Sequence, residues 1–145
     1  MKGLVVYSPE KHATMQAAQA IYDELMIDKE LATPDTMPAE LSQYDIVFAG
    51  FWMDYSHPTA DGKQVLQSLE DVNVALFCVV PDFPVTEQAR ESLRLNRELL
   101  NKNNLFLGGF ICQAVHDANH RDKLKKGSLW GARQFSREMY YSLRS

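Results

Sequence analysis

Short, wholly apolar segments alternate with amphipathic segments along this chain. The apolar segments are too short for buried helices and are rich in β-branched residues, which is typical of strands covered on both faces of a sheet. They predict strands at Lys2–Tyr7, Tyr44–Gly50, Asn73–Val80 and Asn104–Cys112, and a weaker strand at Glu30–Thr33.

The segments between these strands repeat apolar residues every three or four positions, which is the spacing of a helix with one buried face. Ala17, Ile21 and Leu25 form such a stripe near the N-terminus, and Ala132, Phe135, Met139 and Leu143 form another near the C-terminus. The pattern predicts helices at Thr14–Asp28, Asp61–Glu70, Glu87–Asn101 and Ser128–Leu143.

Strands that alternate with helices indicate right-handed βαβ units, because two parallel strands need a crossover connection and that connection is usually a helix. We therefore expect one α/β domain over residues 1–145, with a parallel sheet between two helical layers. In open sheets of this kind, ligands bind beyond the carboxyl ends of the strands. The loops that follow the strands are therefore the places to look for a site.

The first of these loops runs from Ser8 to Thr14 and leads into an amphipathic helix. Free N–H groups at a helix start point outward and the helix dipole favours negative charge, so this loop is suited to an anion. The hydroxyls of Ser8 and Thr14 add donors, and Lys11 and His12 add positive charge.

Two further loops carry aromatic residues. The second leaves the strand at Gly50 with Phe51, Trp52 and Met53, and the third, Pro81–Thr86, contains Asp82 and Phe83. A phosphate-binding loop beside two aromatic walls suggests a planar, phosphorylated ring system as the ligand.

Composition places few further limits on function. With 46% hydrophobic and 23% charged residues, the 145-residue chain is ordinary for one globular domain. Its longest apolar stretches reach about eight residues, far short of the roughly 20 that a membrane helix needs. We expect no membrane span and, because the N-terminus lacks the features of a signal peptide, a cytoplasmic location.

Charge is distributed unevenly along the sequence. Residues 1–100 carry 7 basic and 16 acidic residues, whereas residues 101–145 carry 8 and 3. An acidic body disfavours nucleic-acid binding, which depends on neutralising phosphates, and suits a basic protein partner. The basic run Arg121–Lys126 is interpreted as a solvated loop, with docking to an acidic partner as the alternative.

Other chemistries find little support. Cys112, His116 and His120 are spaced by four, but Cys112 belongs to a predicted strand, so these residues do not share a helix face for a metal. Cys78 and Cys112 lack a Cys-x-x-Cys context and are expected to be buried thiols. No Gly-x-Ser-x-Gly nucleophile motif occurs.

Several segments together resemble the flavodoxin-like superfamily, in particular its short-chain members. They are Met1–Ser8, Tyr44–Asp54, Val74–Phe77 and Leu107–Gln113. The resemblance implies a three-layer α/β sandwich with a five-stranded parallel sheet in the order 2-1-3-4-5. It also implies non-covalent binding of FMN and electron transfer with a redox partner protein, with the phosphate in the first loop and the isoalloxazine ring between the second and third.

Carried over position by position, the resemblance assigns cofactor contacts to Ser8, Glu10, Lys11, His12, Ala13, Thr14, Phe51, Trp52, Met53, Pro81, Asp82 and Phe83. Asp54 and Asp82 are candidates for tuning the flavin electrostatically. The family's phosphate loop usually ends in Thr-Gly-Asn-Thr, where this chain has Lys11–Thr14, and Pro81 has no N–H to donate. Two hypotheses stay open: an FMN-binding electron carrier or accessory flavoprotein, in which no side chain acts as acid or base, and a flavin-free domain that binds a protein partner or a small anion.

Overall fold

In the residues that the structure describes, five long strands alternate with four helices as the hydrophobic pattern predicts. The computed structural model describes residues 1–54, 57–81 and 83–144. Its strands are β1 (Lys2–Tyr7), β2 (Asp28–Ala32), β3 (Ile46–Asp54), β4 (His57–Pro58), β5 (Asn73–Val80), β6 (Leu105–His116) and β7 (Asp122–Leu124). Its helices are α1 (His12–Glu24), α2 (Ala60–Ser68), α3 (Glu87–Glu98) and α4 (Lys126–Arg144).

The strands form one sheet in the order β2-β1-β3-β5-β6-β7. The five long strands are parallel, and Val5 in the centre of β1 lies between Leu31 of β2 and Phe48 of β3. Counted among the long strands alone, the order is the predicted 2-1-3-4-5, which confirms the expected fold. Two short strands were not predicted: β4 pairs antiparallel with the end of β3, and β7 pairs antiparallel with the end of β6.

Helices cover both faces of the sheet. The α1 and α4 helices pack against each other on one face, where Phe135 of α4 meets Phe48 edge-on at 5.9 Å and stacks on Phe110 at 5.6 Å. The α2 and α3 helices cover the other face, with Leu66 and Ala89 buried against the sheet. This arrangement is the expected three-layer sandwich.

The longest helix, α4, has 19 residues and one apolar face, which buries Ala132, Phe135 and Met139. Its opposite face exposes Arg133 and Arg137 to solvent. Within the described residues, none of the helices combines the length and the apolar character that crossing a bilayer requires.

Element ends differ from the prediction in informative places. β3 continues past Gly50 to Asp54, because its apolar residues keep alternating between the two faces of the sheet. β6 likewise continues past Cys112 to His116. The α1 helix begins at His12 and ends before β2 starts at Asp28, so the predicted Thr14–Asp28 helix was placed too late in the sequence.

Candidate functional site

The first loop joins β1 to α1 at the carboxyl edge of the sheet. Ser8 is fully buried, and its backbone N–H donates to the carbonyl of Gly50 across 3.2 Å. Lys11 is the N-cap residue of α1 and makes no side-chain cap bond. Thr14 lies in the first turn of α1, which begins at His12.

Two hydroxyls of the predicted Ser8–Thr14 segment lack partners within the described residues. Ser8 Oγ and Thr14 Oγ1 are fully buried, and neither has a hydrogen-bond partner in the described structure. An unmade hydrogen bond of a buried hydroxyl costs roughly 1–3 kcal/mol, so such groups are uncommon and often mark a functional site. The two orphaned hydroxyls belong to the loop in which the sequence predicts a phosphate.

The other residues of the loop point to solvent or to a neighbouring strand. Glu10, Lys11 and His12 are exposed, whereas Ala13 is fully buried. The N–H of Ala13 donates to Oδ2 of Asp122 over 2.6 Å. A carboxylate from β7 therefore already occupies the first turn of α1.

A groove of about 600 Å³ separates this loop from the hairpin of β6 and β7. Asp117 organises the tip of the hairpin by accepting the N–H groups of Asn119 and Arg121 on its Oδ1 atom. His120 adopts φ 61°, the left-handed conformation that a tight turn uses. The groove is lined by Glu10, Lys11, His12, Gln16, His116, Asp117, His120, Arg121, Asp122 and Lys123.

Sequence reasoning missed the β6–β7 hairpin and with it Asp122. The available signal was the apolar pair Ala114 and Val115, which continues the strand, followed by Asp and Asn residues that favour turns.

The groove contains three histidines but does not assemble a metal site. In the described part of the chain, no group of three or more histidine, cysteine, aspartate or glutamate residues is placed to hold a metal ion.

Residues 51–54, which the sequence predicts to begin the second loop, instead form the last part of β3. Phe51 is 1% exposed on the α2 face, where a Cβ atom at Gly62 would come within 2.8 Å of its Cγ. Met53 is 2% exposed beside α3. The prediction that Phe51 and Met53 stand in a ligand loop is therefore wrong, and both side chains belong to the core.

Trp52 lies on the opposite face of β3, towards α1, and is half-buried. The Nζ atom of Lys11 lies 5.2 Å from the centre of its ring, a distance at which a cation is attracted to an aromatic face. Trp52 is thus the aromatic residue of this strand end that meets the first loop.

The third loop presents apolar side chains to solvent. Pro81 is exposed, Phe83 is 61% exposed, and Nζ of Lys125 lies 5.4 Å from the Phe83 ring centre. Thr86 ends the loop by accepting the N–H of Ala89 at the start of α3. Asp82 and the side chain of Asp54, the two candidates for electrostatic tuning, lie outside the described residues.

Another polar group without a partner lies near this edge. Gln113 is paired in register with Val80 at the end of β5, and its Oε1 atom is buried without a hydrogen-bond partner. Its backbone N–H donates to Oγ of Ser128 over 2.8 Å. Among the described residues, the carboxyl edge therefore holds three buried polar atoms that are unsatisfied.

The two cysteines face opposite sides of the sheet. Cys78 packs on the α3 face and Cys112 on the α1 and α4 face. Burial raises the pKa of the Cys78 thiol to about 12 and raises that of Cys112 further. Both thiols are therefore protonated at neutral pH and act as core residues, as the sequence predicts.

The strand order, the helical layers and the loops at the carboxyl edge define a flavodoxin-like α/β fold. A family model described as a flavodoxin domain matches residues 4–141, so this chain belongs to the flavodoxin-domain family.

Known proteins show how far this similarity extends. The chain is 31% identical over 116 residues to the flavodoxin-like domain-containing protein BilS of Clostridioides difficile strain CD3, and the match spans 78% of this chain but 66% of that relative. A short-chain flavodoxin associated with a non-canonical PDU bacterial microcompartment has a similar structure, with a TM-score of 0.73 at 12% identity over 99% of both chains. A flavoprotein in complex with FMN from Lactobacillus acidophilus has a TM-score of 0.61 at 15% identity over 76% of this chain and 92% of its own.

Proposed function

We propose that this domain binds FMN non-covalently and acts as an electron carrier or accessory flavoprotein. The observation that carries the proposal is the pair of orphaned hydroxyls of Ser8 and Thr14 beside the start of α1. Phosphate oxygens accept hydrogen bonds strongly, and a helix start is where proteins commonly bind them. The donors that these residues offer fit the phosphate group of FMN.

The surroundings of the loop also fit a flavin ring. Trp52 leaves part of its ring accessible beside Lys11, and Phe83 is exposed in the third loop at the same edge of the sheet. Aromatic faces of this kind stack on planar ligands. The third loop departs from an ideal site at Pro81, which offers no backbone N–H, so this position would contribute its ring and a carbonyl acceptor but no donor.

When bound, FMN supplies the reversible electron transfer, and the protein supplies binding and orientation. Ser8 and Thr14 would donate to phosphate oxygens, and the ammonium group of Lys11 would add positive charge at the same loop. Trp52 would cover part of the ring and exclude water from it. No proton transfer by a side chain is required for this role.

A redox partner protein belongs to this proposal. Phe83 and Val85 are 61% and 72% exposed in the third loop, which gives the carboxyl edge a small apolar contact surface. The first hundred residues carry 7 basic and 16 acidic residues, so the body of the domain would attract a basic protein at long range and repel nucleic acid.

The test is a titration of flavin-free protein with FMN, followed by flavin fluorescence and by the yellow absorbance band. We expect quenching with a dissociation constant below tens of micromolar, about −6 kcal/mol or stronger, and reversible bleaching of the bound band by dithionite and air. Free-flavin fluorescence that is unchanged at tens of micromolar FMN would contradict the proposal and leave the flavin-free binding module as the better account.

A further inference from the structure

The amide at the start of α1 already has an anionic partner within the chain. Oδ2 of Asp122 accepts the N–H of Ala13 over 2.6 Å. On the same strand, the N–H of Leu124 donates to Oε1 of Gln16, also over 2.6 Å. These two bonds fix β7 against the first turns of α1 and hold the carboxylate where the helix dipole favours negative charge.

The charge of Asp122 is directed at this helix rather than at a neighbouring cation. Within the described residues, no lysine or arginine forms an ion pair with Asp122. Arg121, its neighbour in sequence, pairs instead with Asp117 over 3.2 Å. A second anion that approached the N–H of Ala13 would therefore meet a carboxylate that no direct ion pair among the described residues neutralises, and two like charges at contact distance repel.

The carboxylate of Asp122 does not satisfy every polar group in this part of the chain. Asp122 satisfies Ala13, yet the buried hydroxyls of Thr14, the next residue, and of Ser8 at the start of the loop have no partner within the described part of the chain. A carboxylate has two oxygens, fewer than the three terminal oxygens of a phosphate monoester. Asp122 is thus an incomplete substitute for the group that the loop is able to bind.

We propose that Asp122 is a specificity-determining residue whose carboxylate competes with the phosphate of FMN for the start of α1. The negative charge of Asp122 lowers the ratio of FMN affinity to riboflavin affinity. Riboflavin has the same ring system as FMN but no phosphate. This inference rests on the proposed function, because it concerns the phosphate end of the same site.

The test compares wild-type protein with Asp122→Asn in titrations with FMN and with riboflavin. Asparagine keeps an oxygen that accepts the N–H of Ala13 and is a good helix cap, so the variant retains the local structure while it loses the charge. We expect FMN to bind about tenfold more tightly to the variant, or about 1.4 kcal/mol, with riboflavin affinity unchanged.

Asp28→Asn is the matched control, because it changes the net charge equally at the exposed start of β2, at the opposite edge of the sheet. We expect this variant to bind both flavins as the wild type does. An equal rise in FMN affinity in both variants would overturn the proposal, because it would assign the effect to net charge. A ratio of FMN to riboflavin affinity that Asp122→Asn leaves unchanged, while both flavins bind, would overturn the inference and leave the proposed function intact.

A flavin-free measurement separates the two proposals further. Titration of ¹⁵N-labelled protein with inorganic phosphate is expected to shift the Ala13 amide resonance at about tenfold lower phosphate concentration in Asp122→Asn than in the wild type. FMN binding to the variant but not to the wild type would support the competition and contradict the proposed function. If phosphate does not shift the Ala13 resonance in either protein, the proposed competition between Asp122 and phosphate is overturned, even if FMN binds.

Discussion

The ammonium group of Lys11 lies 5.2 Å from the centre of the Trp52 ring and joins the first loop to the end of β3. Trp52 is half-buried and packs against the core on the α1 face, so its side chain is held in place at the carboxyl edge of the sheet. A fixed aromatic side chain loses little conformational entropy when a planar ligand stacks on it.

We therefore expect Trp52→Ala to weaken FMN binding by about tenfold, or ~1.4 kcal/mol, in a fluorescence titration. Tyr141→Ala is the control, since Tyr141 is 64% exposed near the C-terminal end of α4 and its removal should leave affinity unchanged. Equal FMN affinities for wild type and Trp52→Ala would exclude Trp52 from the ring site.

The orphaned hydroxyl of Thr14 predicts opposite effects on stability and on binding. Thr14→Val keeps the shape of a buried side chain and removes a hydroxyl without a partner, so we expect the free energy of unfolding of the flavin-free protein to rise by about 1 kcal/mol. FMN affinity should fall in the same variant.

Ser136→Ala provides the comparison, because Oγ of Ser136 is equally buried but donates to the carbonyl of Ile21 over 2.8 Å. Its loss should lower the free energy of unfolding by about 1 kcal/mol, as measured by urea denaturation. A Thr14→Val protein that is destabilised as much as Ser136→Ala would show that the Thr14 hydroxyl is satisfied in solution.

The close approach of Gly62 to Phe51 fixes the end of β3 beneath α2. A Cβ atom at position 62 would lie 2.8 Å from Cγ of Phe51, and that side chain is 1% exposed. Gly62→Ala should lower the free energy of unfolding by ~1–3 kcal/mol. Gly127→Ala, where the added carbon would contact none of the other described residues within 4 Å beyond the local backbone, should be neutral or slightly stabilising because alanine favours a helix. Thermal unfolding of the two variants checks both expectations, and equal melting temperatures would contradict the packing argument.

A titratable pair at the amino edge of the sheet predicts a loss of stability in alkali. The Tyr44 hydroxyl donates to Glu30, and burial together with this bond raises the pKa of Tyr44 to about 12. Hydrogen bonds from Lys2 and from Tyr44 lower the pKa of Glu30. The raised pKa of Tyr44 contributes stability that is complete below the unfolded value of about 10 and is lost as the pH rises through the folded value. The lowered pKa of Glu30 acts in acid, where its contribution is lost as the pH falls through that value.

Urea denaturation at several pH values between about 9 and 12 tests the alkaline arm. Stability of the wild type should fall more steeply than that of Tyr44→Phe, which has no phenol to ionise at this position. Tyr141→Phe, at an exposed tyrosine, should keep the wild-type slope. Parallel curves for wild type and Tyr44→Phe would show that the pKa of Tyr44 is not raised by folding.

The parallel core of the fold was predictable because each buried strand is a continuous apolar run with turn residues or helical patterns on either side. β1 and β5 have the predicted bounds. The end of β3 was misjudged because Phe51, Trp52 and Met53 are large apolar residues that suit a ligand wall as well as a strand, and composition alone does not separate these uses. Their alternation between the two faces of the sheet is evident only once the neighbouring strands are in place.

The site was predictable only to the level of its first loop. The position of the loop after β1 follows from topology, and hydroxyls were expected at Ser8 and Thr14. The contact between Ala13 and Asp122 joins residues 109 positions apart, and no local pattern encodes a contact of that range. The roles of single polar residues such as Asp122 and Gln113 depend on the groups that they contact. These contacts form only when the hairpin packs against the rest of the domain.

The thiols of Cys78 and Cys112 lie on opposite sides of the sheet, which bears on whether the protein itself could take part in redox chemistry. Cys78 and Cys112 cannot join in a bridge while β5 and β6 remain paired, and both sulfur atoms are sealed from solvent. The folded domain therefore forms no disulfide between these two cysteines under oxidising conditions. Electrons accepted by the proposed FMN group would therefore remain on the flavin, because the protein offers no cysteine pair to be oxidised or reduced.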